Sequence, residues 1–102
     1  MKITFNDDSL EELYYIPLNN LGKQQFSKSL IKNYQKRVKI LKYANDLGDI
    51  AKLKGMNLEK VNSKKFKECY SIRVNDQFRV IFKEVKKGTV EILILELSKH
   101  YE

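Results

Sequence analysis

The sequence predicts an α+β protein, with an N-terminal strand and helices packed on one face of a small antiparallel sheet. Three observations carry that expectation. Lys23 to Leu47 runs without Gly or Pro and returns an apolar side chain every three or four residues, at Phe26, Leu30, Tyr34, Val38 and Leu41, the repeat of an amphipathic helix. Tyr70 to Phe82 holds two β-prone arms around a polar Asn75-Asp76-Gln77 break, a hairpin signal. Thr89 to Glu96 is apolar in both alternating phases, as expected of a strand buried inside a sheet. Helical segments first and antiparallel strands last place the helices together on one sheet face.

The elements follow in order. Lys2 to Asn6 alternates, with Ile3 and Phe5 against Lys2, Thr4 and Asn6, and reads as a short strand. Asp8 or Ser9 is expected to cap a brief helix over Leu10–Tyr15, with Glu11 and Glu12 in its first turn, where the helix dipole favours carboxylates. Pro17 ends it, and Asn19-Asn20-Leu21-Gly22 is a turn. The long helix carries its lysines outward, Ile31, Ile40 and Ala44 widen its apolar stripe, and Gly48 is expected to stop it. The polar stretch between Gly55 and Lys67 is the best loop candidate, and Lys86-Lys87-Gly88 a second turn.

The length of 102 residues suits one domain, residues 1–102, with a single core. The longest apolar run is too short to cross a bilayer, the N-terminus lacks the layout of a secretion signal, and the lone Cys69 suits a reducing compartment. A cytoplasmic protein without membrane contact is expected. One cysteine and one histidine leave no zinc site, and no cofactor is expected. Cys69 reads as a packing residue. The formal net charge is +7, and its placement is informative. Residues 23–42 hold seven basic side chains and no acid, and residues 52–67 hold six lysines against Glu59 alone. Such clustering points to a polyanion, nucleic acid or a ribosomal surface; the competing explanation is a solvated lysine-rich helix face.

The hairpin carries one arginine in each arm, and their phase matters. With an odd loop of Asn75 to Gln77, the pairs are Val74–Phe78, Ile72–Val80 and Tyr70–Phe82. All six apolar side chains then share one face, and Arg73 stands opposite Arg79 on the other. A two-residue loop would split that apolar set, so burial selects the odd loop or a bulge. Like charges directly opposite repel. Either an anion sits between them on an open basic face, or each arginine pairs with its own surface carboxylate. Asn75 and Asp76 are taken as turn formers.

These residues resemble a known family, the HigB-type branch of the RelE/ParE toxin superfamily of bacterial toxin–antitoxin pairs. The resemblance rests on Arg37 to Asp49 as the helix leading to a Leu-Asp-Leu-like stretch, on the Leu53-Lys54-Gly55 turn, and on Ser71-Ile-Arg-Val-Asn-Asp-Gln-Phe-Arg-Val-Ile-Phe82. The chain departs from the pattern in the fifteen residues Met56 to Tyr70 and in its Lys99-His100-Tyr101 ending, which is closer to the His-Tyr ending of YoeB-like relatives.

The resemblance implies a ribosome-dependent endoribonuclease that cleaves messenger RNA in the A site by metal-independent attack of a 2′-hydroxyl, inhibiting translation. It implies that Arg73 and Arg79 clamp the phosphate, that Lys54 adds charge stabilisation, that His100 shuttles a proton, and that Tyr101 stacks on a base or assists the transfer. Bidentate guanidinium suits phosphate and imidazole titrates near neutrality. Lys60, Lys64, Lys65, Lys67 and Lys99 would contact RNA or the ribosome. The implied partner is a cognate antitoxin, a HigA-like helix-turn-helix protein, with operator DNA reached only through it. Two other functions fit the same charge: a ParE-like non-catalytic toxin acting on DNA gyrase, and a basic RNA-binding module.

Overall fold

In the computed structural model, which describes residues 1–86 and 91–99, β1 (Lys2–Phe5) leads into α1 (Asp8–Tyr15). The α1 cap lies one residue ahead of the expected pair. Asp7, in extended conformation, accepts from the Leu10 amide at 2.9 Å, and the Ser9 hydroxyl donates to the same carboxylate at 2.7 Å. Asp8 and Glu11 then fall in the first turn. The Asp7 carboxyl is held below its ordinary range, first by the Leu10 amide and then by Ser9.

The long amphipathic segment divides into two helices. Ser27 caps α2 (Lys28–Tyr43) by accepting from the Leu30 amide at 3.1 Å. The helix ends at Tyr43, four residues short of the expected Leu47. Asp46 caps a new helix, α3 (Leu47–Ala51), accepting from the Asp49 amide, while Asp49 accepts from the Asn45 amide. These two carboxylates reward a break at 44–46. Gly48 therefore lies inside α3 and stops nothing. Leu30, Ile31, Tyr34, Val38 and Leu41 of the expected stripe are buried, and Phe26, ahead of the helix, sets its ring edge-on to Phe78 at 5.9 Å. The Tyr34 hydroxyl donates to the Leu10 carbonyl at 2.8 Å, tying α2 to α1 inside the core.

A single 3-10 turn (Lys54–Met56) precedes β2 (Glu59–Val61), which pairs antiparallel with β3 (Cys69–Arg73). This strand lies within the stretch expected to be loop. It is only three residues long and carries two charges, so neither length nor alternation marks it, and it forms because β3 offers an edge. β4 (Phe78–Glu84) and β5 (Glu91–Lys99) complete a five-stranded sheet in the order β1-β5-β4-β3-β2. The expected architecture is present, helices on one face of the sheet. The sheet is not wholly antiparallel, because β1 joins its edge parallel to β5.

β5 lies between β1 and β4, and the placing of Leu97 in its apolar double phase has a geometric cause. Phe82 pairs with Ile94 and Ile81 with Glu96, so Leu95 is an extra residue on β5. That bulge shifts the phase: Ile92 and Ile94 enter the core before it, and Leu97, opposite Val80, after it. One core gathers α1, α2, α3 and the inner sheet face, including all six hairpin positions from Tyr70 to Phe82. No helix of the described residues is long and apolar enough to cross a membrane.

Candidate active site on the outer face of the sheet

The hairpin register is the one that buries the apolar set. Tyr70 pairs with Phe82, Ile72 with Val80 and Arg73 with Arg79, and the Val74 amide closes the loop on the Phe78 carbonyl at 2.9 Å. Asn75 shapes the turn, its Oδ1 accepting from the Gln77 and Phe78 amides at 2.8 and 2.7 Å. With the inner face taken by apolar side chains, the arginines project from the outer one. Both line one concavity of about 280 Å³ together with Asn57, Glu59, Asn75 and Asp76.

Neither guanidinium is left without a counter-charge. Arg73 is ion-paired through Nη2 to Asp76 at the exposed hairpin tip. Asp76 therefore does more than form the turn. Arg79 is more confined, its side chain 10% exposed against 54% for the Glu59 carboxylate 3.7 Å away. Its Nε donates to the Ser71 hydroxyl at 2.9 Å and its Nη2 to the Asn57 carbonyl at 2.6 Å. Asn57 presents that carbonyl from a left-handed conformation (φ 44°), which Asn tolerates better than most residues. Separate carboxylates thus relieve the like-charge juxtaposition. The fixed donors of Arg79 still leave the rest of its fork facing the concavity.

A second concavity of about 300 Å³ adjoins the first, with Arg79 and Glu59 lining both. Ser71, Ile81 and Ser98 also line it, and Lys60 and Lys99 stand at its border. Of the five lysines expected to meet RNA, these two share a concavity with Arg79 but not Arg73, and by register they stand opposite Tyr70 and Phe78, in the phase of the inner face. Lys67 lines a separate groove at the β2–β3 edge, and Lys64 is exposed on the loop between β2 and β3. Lys65 is diverted, ion-paired to Glu96 of β5 at 3.7 Å with its ammonium 5.2 Å above the Phe66 ring. Lys54 is exposed on the 3-10 turn and lines neither concavity. His100 and Tyr101 lie outside the described residues.

The Lys65–Glu96 contact changes the picture of a fully open outer face. The loop leaves β2 and returns at β3, yet Lys65 reaches β5 across two intervening strands. Residues 62–68 therefore lie over part of the outer face. Cys69 and Ile81, both buried but outside the main core cluster, belong to this covered region. Burial pushes the Cys69 thiol above its ordinary pKa, and the thiol donates to the Lys67 carbonyl at 3.4 Å, consistent with a packing role. What stays open is the arginine end.

The sequence reading missed Asn57, Glu59 and Ser71 as site residues. Glu59 had a usable signal, as the one acid in the lysine-rich 52–67 stretch. Asn57 acts through a backbone carbonyl and left no mark in residue type.

A mixed sheet backed by helices on one face, with opposed arginines and a carboxylate on the other, defines a small α+β protein of the RelE-like toxin class. A family model described as the RelE-like toxin of type II toxin–antitoxin system HigB matches residues 3–97. The chain belongs to that family and is a toxin of a type II toxin–antitoxin system. No curated protein matches it. Among solved structures, it is similar to the YoeB–YefM complex from Staphylococcus aureus, at 24% identity and TM-score 0.60, with 99% of this chain and 98% of that one covered. It is similar also to a YoeB/ParE toxin from Agrobacterium tumefaciens, at 12% identity and TM-score 0.62, with 99% and 100% covered. At these identities the likeness speaks for the fold.

Proposed function

We propose that this toxin is a ribosome-dependent endoribonuclease that cuts messenger RNA in the A site and so inhibits translation. One observation carries the reading: Arg73 and Arg79 face each other across a single concavity that also holds the Glu59 carboxylate. That set matches the needs of RNA transesterification. The 2′-hydroxyl loses its proton and attacks the adjacent phosphorus; the bond to the 5′-oxygen breaks, and that oxygen takes up a proton. The products are a 2′,3′-cyclic phosphate and a free 5′-hydroxyl. A carboxylate serves as base, and guanidinium groups offset charge growing on the phosphoryl oxygens. The reaction as written uses neither metal nor cofactor.

In this reading Glu59 accepts the 2′-hydroxyl proton, Arg79 and Arg73 hold the phosphate, and His100 returns a proton to the leaving oxygen, with Tyr101 beside a base. Lys54 adds long-range positive charge; Lys60 and Lys99 border the RNA path. Lys64 and Lys67 face the ribosome, with Lys65 held aside by Glu96. The 1–102 chain acts as one domain in the cytoplasm. Its partner is the cognate antitoxin, a HigA-like helix-turn-helix protein, through which alone it meets operator DNA.

The test is a cell-free translation reaction with purified toxin, followed by primer extension on the message. The expected result is cleavage within the A-site codon by the wild type, and none by Arg79→Ala or His100→Ala. An intact message with blocked DNA gyrase would instead favour the ParE-like reading, and an intact message with normal translation and uninhibited gyrase would reject both.

A further inference from the structure

The one markedly apolar concavity among the larger ones of the described residues lies away from the arginines, between α2 and α3. It measures about 730 Å³. Ile40, Ala44, Ile50 and Leu53 form its floor, with Tyr43 alongside. Tyr43 and Leu53 are 71% and 46% exposed, although each could have been polar at no cost to the core. Lys36, Lys39 and Lys52 rim the groove. Its one acid among the described residues, Asp49, has its carboxylate engaged, accepting from the Asn45 amide at 3.0 Å.

The break at 44–46 creates this groove. Had α2 continued to Leu47, α3 would not fold back beside it. The lining positions on α2, from Lys36 to Ala44, span about 12 Å at 1.5 Å per residue, the length of about two helical turns. Apolar patches of this kind mark interaction sites, and grooves of this shape take the apolar stripe of a helix.

Charge selects the occupant. α2 carries Lys28, Lys32, Lys36, Arg37, Lys39 and Lys42 and no acid. A second copy of the chain, bringing the same lysines to an isologous contact, would be repelled. RNA would meet the lysines but find an aliphatic floor, with Tyr43 as its sole stacking surface. A segment with apolar side chains on one stripe and carboxylates beside it satisfies floor and rim together.

We propose that the α2–α3 groove docks an acidic amphipathic helix of the cognate antitoxin, its apolar stripe on Ile40, Ile50 and Leu53 and its carboxylates at Lys36, Lys39 and Lys52. This rests on the reading that the chain has a cognate antitoxin partner. It places a holding contact that shares no lining residue with the arginine concavity, so that grip and masking of the site are separable. Leu53→Asp removes half-exposed apolar surface and puts a like charge before the incoming carboxylates. Tyr43→Ala removes exposed surface alone.

The test has two arms. The first is fluorescence anisotropy of the full-length inactive Arg79→Ala protein with a labelled helical peptide of about fourteen residues, with Leu at i, i+4 and i+7, Glu flanking that stripe and Ala elsewhere to hold the helix. Expected is binding weakened tenfold or more by Leu53→Asp and by Lys39→Glu with Lys52→Glu, and severalfold by Tyr43→Ala. Unchanged binding in all three variants would overturn the proposal, as would equal binding of the peptide with Lys in place of Glu, or displacement by anionic phospholipid vesicles. In the second arm the product of the adjacent gene is co-expressed and co-purified. Its retention by the parent and loss from Leu53→Asp, with unchanged thermal unfolding, supports the docking site. Retention by Leu53→Asp overturns the groove and leaves the partner reading standing; no co-purification even with the parent overturns the partner reading itself.

Discussion

Replacing Glu59 with Gln should separate RNA binding from RNA cleavage. The carboxylate stands 3.7 Å from Arg79 Nη2, where two unit charges attract by about 4–5 kcal/mol at an effective dielectric of about 20. Glu59 is 54% exposed, so water and counter-ions screen most of that. A half-exposed pair is worth about 1 kcal/mol. An incoming phosphate must displace the carboxylate from Arg79 and forfeits that amount, so Glu59→Gln should bind RNA about fivefold more tightly. The same substitution removes the only carboxylate among the described residues that lines both concavities. If Glu59 is the base, single-turnover cleavage should fall by about 10²–10⁴-fold. The measurement pairs anisotropy on a 2′-deoxy, uncleavable oligonucleotide with quenched-flow cleavage on programmed ribosomes. Cleavage at the parent rate would refute the base assignment. Weaker binding by the variant would refute the view that Glu59 competes with phosphate for Arg79.

Four further substitutions probe the rest of the structure. Arg79→Ala should cost about 2–3 kcal/mol in urea unfolding, since it strips hydrogen bonds from Ser71 and the Asn57 carbonyl, whereas Arg73→Ala, at the exposed tip, should stay within about 0.5 kcal/mol while weakening RNA binding. Asp7→Ala should lower stability by about 1 kcal/mol at neutral pH; because the folded carboxyl titrates below its ordinary 3.8, the Asp7 contribution is full above that pH and lost as pH falls through the depressed value, so the acid limb of the variant's stability curve should be flatter. Phe66→Ala should loosen the 62–68 segment and speed Cys69 modification by a thiol-specific disulfide reagent at least tenfold; an unchanged rate would show that something else covers the thiol.

What the sequence made legible was what apolar patterning controls. The hairpin register followed from six apolar positions that had to share a face, because a one-residue slip would have exposed all of them. That fixed Arg73 opposite Arg79. The Leu30 to Leu41 core stripe was equally plain. The failures have a common cause, short polar hydrogen bonds that reward a local change of direction. Asp46 and Asp49 break the long helix, and Asn57 turns left-handed ahead of β2. A three-residue edge strand has too little length to show alternation. The bulge at Leu95 was hidden differently: its signature, apolar side chains in both phases, is also that of a strand buried on two faces. The partners of Arg79 come from β3, β2 and the turn ahead of β2, a convergence that no local pattern records.

The carboxylates beside the arginines bear on how such a site discriminates among polyanions. Two bare guanidinium groups on an open face would attract any phosphate backbone, and the lysine-rich α2 would add to that attraction. Here each guanidinium is neutralised at rest by a carboxylate able to leave: Asp76 sits at an exposed hairpin tip and Glu59 on an edge strand. Displacing both costs something for every anion. A phosphate that meets only one arginine recovers one exchange of partners, about break-even against the carboxylate it displaces. One that is pressed between both, with its 2′-hydroxyl turned to the freed Glu59, recovers two and gains a further hydrogen bond. Arg79 does not need to move, since Ser71 holds its Nε and the Asn57 carbonyl its Nη2 whichever anion approaches the guanidinium. The rigid arginine and the mobile carboxylates together make fit, more than charge, the condition for engagement. If the proposed function holds, a message fixed in place by the ribosome would supply that fit where free RNA would not.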